Sequence, residues 1–189
     1  MRISIKVSFI FVAIWFAGKM ILFYGQIFQS PEDVKWLVMW NMLCLLLGMT
    51  IGTLLEKRKE VKEEGSALQD VKQTIASGML YSVSVAILMY LYYGKIDPGY
   101  NANQVAVATE QVDKMLNDEK QMKALRKSNP ELATMSNDEI RDKSIENQKV
   151  WYGAGMVTTI SLLGMMMLST LNAIVLTIVF RRVVSRIKR

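Results

Sequence analysis

The chain has 189 residues, 51% hydrophobic and 21% charged, where a soluble domain carries about 25% charged residues. It has no histidine and one cysteine, Cys44, which excludes a histidine base, histidine-ligated haem, an HExxH-type zinc site, an internal disulfide and a cysteine-pair metal site. The net charge of +6 is split into small clusters between long uncharged stretches; that is a topology signal, no nucleic-acid motif accompanies it, and neither a nucleic-acid partner nor a cofactor is expected.

A spanning helix needs about 20 mostly apolar residues to cross roughly 30 Å of hydrocarbon. Four segments meet that requirement, so the predicted fold is all-α, a polytopic membrane protein with four transmembrane helices. The first runs from about Val7 to Phe28 (7–28) and is interrupted once, by Lys19. Arg2 and Lys6 ahead of an apolar run resemble a secretory signal. No small-residue cleavage site follows, however, and Lys19 and Tyr24 suit an h-region poorly, so the first helix is expected to be retained. The second span, Val34 to Leu55 (34–55), has no charge after Lys35, and the third, Thr74 to Gly94 (74–94), has none. The fourth, Trp151 to Phe180 (151–180), is uncharged over about 30 residues and must tilt, bend or project from the bilayer.

Lysine and arginine in short flanking loops set orientation. Arg2 and Lys6 precede the first span; Lys57, Arg58, Lys59, Lys62 and Lys72 lie between the second and third; Arg181, Arg182, Arg186, Lys188 and Arg189 follow the fourth. Both termini, the loop 56–72 and the basic tail 181–189 are therefore expected in the cytoplasm of a bacterial inner-membrane protein. Tyr24, Trp36, Trp40, Tyr90, Tyr92, Tyr93, Trp151 and Tyr152 fall near the opposite ends, where amphipathic rings favour the headgroup level. The tail is also suited to touching anionic lipid.

The segment 95–150 carries nearly balanced charge and is expected outside, as a helical cap on a single membrane domain spanning 1–189. Asp97-Pro98-Gly99 stops the third span. Val105, Ala108, Val112, Met115, Met122 and Leu125 then recur at helical spacing, predicting one amphipathic helix that ends before Asn129-Pro130. Ser136 and Glu139 read as a capping box, and from Asn137 one long helix is predicted to continue to Phe180. The cap is either a solvated connector or a surface on which a partner docks.

Lys19 is the one charge inside a predicted span, and an intramembrane lysine is a functional candidate by default. It lies about eight residues, roughly 12 Å, from the outer end, within reach of snorkelling. A hairpin centred near Ser30 places Asn41 at the same depth, so Lys19 and Asn41 form a candidate polar site. No predicted span contains Asp or Glu, so an ionic partner for Lys19 would come from another subunit. Gly48 and Gly52 form a GxxxG pair, suited to packing within the bundle or to a homodimer seam. Met165-Met166-Met167 point to different helix faces and read as apolar filling, not a copper path, and no metal site is expected.

The order of elements, with the stretches GSALQDVKQTIASGMLYSVSVAILMYLYYGKIDPGY and TIVFRRVV, resembles an uncharacterised four-helix bacterial membrane family, domain of unknown function 4199, found chiefly in Bacteroidetes. Gly78, Tyr90, Tyr93, Ile96 and Pro98 carry the likeness. The resemblance implies the four-span fold and supplies no activity or catalytic residues.

Three functions fit a chain of this kind. An accessory or interaction subunit would bind another membrane protein, or a second copy as a homo-oligomer, through its helices and outer cap. A small transporter or channel would use Lys19 and Asn41. An enzyme needs a nucleophile with a base, or paired carboxylates at a metal. The outer acids Asp97, Asp113, Asp118, Glu119 and Asp142 are interleaved with lysines and read as solvated faces, so no catalytic residue is assigned and an enzyme is not expected. The accessory role is the expectation.

Overall fold

A computed structural model describes residues 2–27, 33–59 and 66–187, with side chains described as far as 182 and not at residue 59. Regular structure among the described residues is all helical. Four helices are long and apolar enough to cross a membrane: α1 (Ile3–Tyr24), α2 (Val34–Lys59), α3 (Ala67–Leu91) and α8 (Ala154–Ile187). Between α3 and α8 come the π-helical turn Tyr92–Ile96, α4 (Pro98–Leu116), α5 (Glu119–Ser128), α6 (Pro130–Ala133) and α7 (Asn137–Trp151). The chain forms two compact units, one of Met1–Met89 with Thr158–Arg189 and one of Tyr90–Val157. The hairpin centre expected at Ser30, the end of the first span at Phe28, Lys62, Lys188 and Arg189 lie outside the described residues.

The first unit differs from a soluble core in what it buries beside Leu45, Met49, Tyr81 and Val85. Small and hydroxylic side chains are buried, among them Ser8, Ser77, Ser82, Ser169 and Thr74. Large apolar ones such as Ile21, Ile87, Met167 and Leu171 are exposed. In water such a surface would associate or aggregate. In hydrocarbon there is no hydrophobic force to bury it, and small residues at helix contacts gain close packing instead. Buried positions on α3 (Asp70, Thr74, Ser77, Gly78, Tyr81, Ser82, Val85 and Met89) recur every three or four residues, so one face of that helix forms the centre of the unit.

The second unit is built by local capping. Asp97 accepts from the Tyr100 amide at 3.1 Å and from the Tyr92 hydroxyl at 3.2 Å, while Pro98 opens α4. The capping box is present: the Ser136 amide donates to Glu139 Oε2 at 2.7 Å, and the Glu139 amide donates to Ser136 Oγ at 3.2 Å. Arg141 on α7 donates to both carboxylate oxygens of Asp113 on α4, at 2.6 and 3.2 Å. Tyr92, Tyr93, Ala108, Met122 and Ile140 are buried hydrophobic side chains of this unit. The stripe that had suggested a partner surface is therefore partly covered within the chain itself.

Two helices differ from expectation. The amphipathic helix after Pro98 is two helices, broken at Asn117-Asp118, because the Asp118 side chain accepts from the Lys120 and Gln121 amides and starts α5. The long helix from Asn137 is likewise broken at Tyr152-Gly153 before α8 begins, at a glycine that costs about 1 kcal/mol in a helix interior. α3 starts at Ala67, ahead of the predicted span 74–94, and so carries Asp70.

Candidate functional site

The close packing of α1 and α2 starts from glycine. A methyl group at Gly52 would lie 3.1 Å from Ser4 Cα, one at Gly48 would lie 3.2 Å from Phe11 Cβ, and one at Gly18 on α1 would lie 2.9 Å from the Trp40 indole nitrogen. These three contacts set an antiparallel register along the pair. Within the chain, Gly48 and Gly52 thus pack against α1.

Lys19 continues the inward face of α1 marked by Ser4, Ser8, Val12 and Trp15, and it is only 6% exposed. Asn41 lies near the same level, one residue beyond the Trp40 that faces Gly18. Its side chain goes elsewhere. Asn41 Oδ1 accepts from the Tyr81 hydroxyl at 2.9 Å, and Nδ2 donates to Met165 Sδ at 3.2 Å. One residue turns a helix by about 100°, so with Trp40 directed at α1, Asn41 is carried round towards α3 and α8. The structure gives Lys19 and Asn41 similar depths, and the Asn41 side chain is engaged by Tyr81 and Met165.

A third constellation gathers where α1 and α3 begin and α2 and α8 end. Asp70 on α3, 4% exposed, accepts from Lys57 Nζ on α2 and from Arg181 Nε and a terminal guanidinium nitrogen on α8, the latter two at 3.1 and 3.0 Å. Beside it Thr53 and Thr74 share a hydroxyl contact at 3.3 Å, and the Ser4 amide donates to Glu56 Oε2 at 3.3 Å. Ser4 is in the first turn of α1, where Arg2 supplies no side-chain cap, so a carboxylate from α2 meets an otherwise orphaned helix donor. Glu56, Lys57, Asp70 and Gln73 line one narrow crevice with these groups. A carboxylate this buried is tolerable because charged donors saturate it.

Chemically this arrangement is an ionic clasp over three helices. Among the described residues no three Cys, Asp or Glu side chains are grouped to hold a metal ion. Asp70 and Glu56 lie outside the predicted spans 34–55 and 74–94 but on α3 and α2, because both helices extend beyond those spans. A signal for Asp70 was present in the sequence: Asp70, Thr74, Ser77, Gly78 and Tyr81 keep one helical spacing. The charge of the flanking segment had placed Asp70 in the loop.

The family model for a protein of unknown function, DUF4199, matches residues 7–182. The chain belongs to the DUF4199 family. Neither the curated proteins nor the solved structures include a match to it. Three of the five positions that carried the DUF4199 resemblance have structural roles here. Gly78 meets Ser169 and Met49, Tyr93 stacks on Tyr100 with ring centroids 5.3 Å apart, and Pro98 opens α4.

Proposed function

We propose that this DUF4199 chain is a non-catalytic accessory subunit of the bacterial inner membrane. In this reading both termini and the Asp70 end lie in the cytoplasm, the Tyr90–Val157 unit lies on the other side, and partner proteins bind through the helix faces and that unit. The supporting observation is how the spanning helices spend their polar groups. Along the inward face of α3, Asp70, Thr74, the Ser77 carbonyl and Tyr81 engage α2 and α8, α2, α1 and α2 respectively. Polar groups used this way hold a scaffold together, and the apolar faces outside it are available to lipid and to partner helices. Crosslinking in native membranes, then purification in mild detergent and mass spectrometry, tests the reading. A stoichiometric membrane-protein neighbour is the expected result; a monodisperse monomer with no specific neighbour overturns it.

The burial of Lys19 on the inward face of α1 favours one second reading, a small transporter in which Lys19 lines the path and Asn41 adds a polar group at a similar level. Solute flux in reconstituted vesicles that falls with Lys19→Ala and with Asn41→Ala would support it. Flux indifferent to both removes it.

A further inference from the structure

The Asp70 clasp arranges more than the three residues that form it. Each helix that contributes to it carries an exposed cation beside its contribution: Arg58 follows Lys57 on α2, Lys72 lies two residues from Asp70 on α3, and Arg182 follows Arg181 on α8. Drawing the three helix ends together therefore brings three exposed basic side chains to one end of the bundle. In the sequence, segments 1–6, 56–72 and 181–189 hold twelve basic and five acidic residues, while the remainder holds eleven and twelve, so the whole positive excess lies in the segments that adjoin these helix ends along the chain.

We propose that this end binds the phosphate headgroups of anionic phospholipids around it, with Arg58, Lys72 and Arg182 as the binding cations and Asp70 as the residue that positions their helices. The inference rests on the reading of α1, α2, α3 and α8 as membrane spans and is independent of any protein partner. Three observations favour a lipid over a soluble anion. The cations sit at the ends of apolar helices, where headgroups lie. Exposed apolar side chains such as Leu55 and Leu68 on the same helices are placed to meet acyl chains. Basic clusters at helix ends attract anionic headgroups, about fivefold in affinity for each cation near the surface.

The test uses the full chain in mild detergent and follows its thermal unfolding with added phosphatidylglycerol, phosphatidylcholine or inorganic phosphate. Phosphatidylglycerol alone is expected to raise the midpoint, less so at high salt. Arg58→Gln, Lys72→Gln and Arg182→Gln should each weaken the apparent affinity about fivefold, and the triple variant on the order of a hundredfold. All of these leave the Asp70 contacts in place, and the single variants serve if the triple one does not fold. Lys114→Gln with Lys123→Gln, in the other unit, should change nothing. Equal protection by phosphatidylcholine, or an unchanged phosphatidylglycerol response in the variants, overturns the proposal. Protection by inorganic phosphate at the same concentrations assigns the site to a soluble anion and overturns it as well.

Discussion

A methyl group at Gly78 would lie 2.6 Å from Ser169 Cβ and 2.8 Å from Met49 Sδ. The methionine can move, but a Cβ fixed to α8 cannot without shifting that helix. Gly78→Ala is therefore expected to lower stability by about 1–3 kcal/mol, as overpacking does, in denaturation measured in detergent. Gly164 on α8 meets nothing within 4 Å, and Gly164→Ala should be neutral or stabilising by up to about 1 kcal/mol. Equal responses at the two glycines would mean that α3 and α8 do not pack as described. Asp70 gives a second residue-scale expectation. Asp70→Asn keeps the shape of the side chain and leaves Lys57 and Arg181 without a carboxylate. Breaking a fully buried pair costs about 3–5 kcal/mol. Here the cations are 25% and 44% exposed, so solvent screening reduces the expected loss to about 1–3 kcal/mol. Combining it with Arg181→Gln should cost less than the sum of the two, because both remove one contact.

At the scale of elements, helix pairs are held by different chemistry in the two units. α1 and α2 meet through glycines, whereas α4 and α7 are joined by the exposed Asp113–Arg141 pair. The Arg141 hydrogen bond and charge hold the Asp113 carboxyl below its ordinary range, and the Ser136 amide and hydroxyl do the same for Glu139 in the capping box. A lowered carboxyl value contributes stability that is present above the unfolded value, about 3.9 for aspartate, and is lost as pH falls through the folded value. Arg141, raised by Asp113, stays cationic throughout. Hydrogen exchange in α4 and α7 should therefore show no pH-dependent loosening between pH 7 and 5, beyond the intrinsic chemistry of exchange, and added loosening below about pH 4. Arg141→Gln should remove the α4 part of that acid response and leave the start of α7, where Glu139 acts, responsive. Loosening that begins near neutrality would point to a different group.

For the whole molecule, the decisive expectation is topological. With Cys44 replaced by serine, single cysteines at Asn103 and Ser66 should react oppositely with an impermeant maleimide. Position 103 is expected to label in intact cells with the outer membrane permeabilised, and position 66 only after the inner membrane is opened. Labelling of both from the same side would overturn the four-span arrangement, since α3 lies between them. Much of that arrangement is legible in residues read singly. The spans appear in uncharged runs, and the start of α7 appears in Ser136 and Glu139. The breaks at Asn117-Asp118 and Tyr152-Gly153 were harder to read, because a continuing hydrophobic stripe and a helix-stopping side chain act over the same few residues and compete by about 1 kcal/mol.

What the sequence by itself determined is the number of spanning helices, the helical character of the segment between α3 and α8, the capping box and the family. These are local quantities: the transfer of about 20 apolar residues into hydrocarbon, or a hydrogen bond between residues three apart, depends little on the rest of the chain. The tertiary structure decided which polar groups meet. It turned Asn41 towards Tyr81 and Met165, placed Lys19 on a buried face, seated Gly48 and Gly52 against α1, and joined Asp70 to Lys57 and Arg181. The physical reason is that these contacts depend on the rotation and register of helices. Residues as far apart as Asp70 and Arg181 meet through the packing of whole surfaces, and no short pattern in the sequence encodes it.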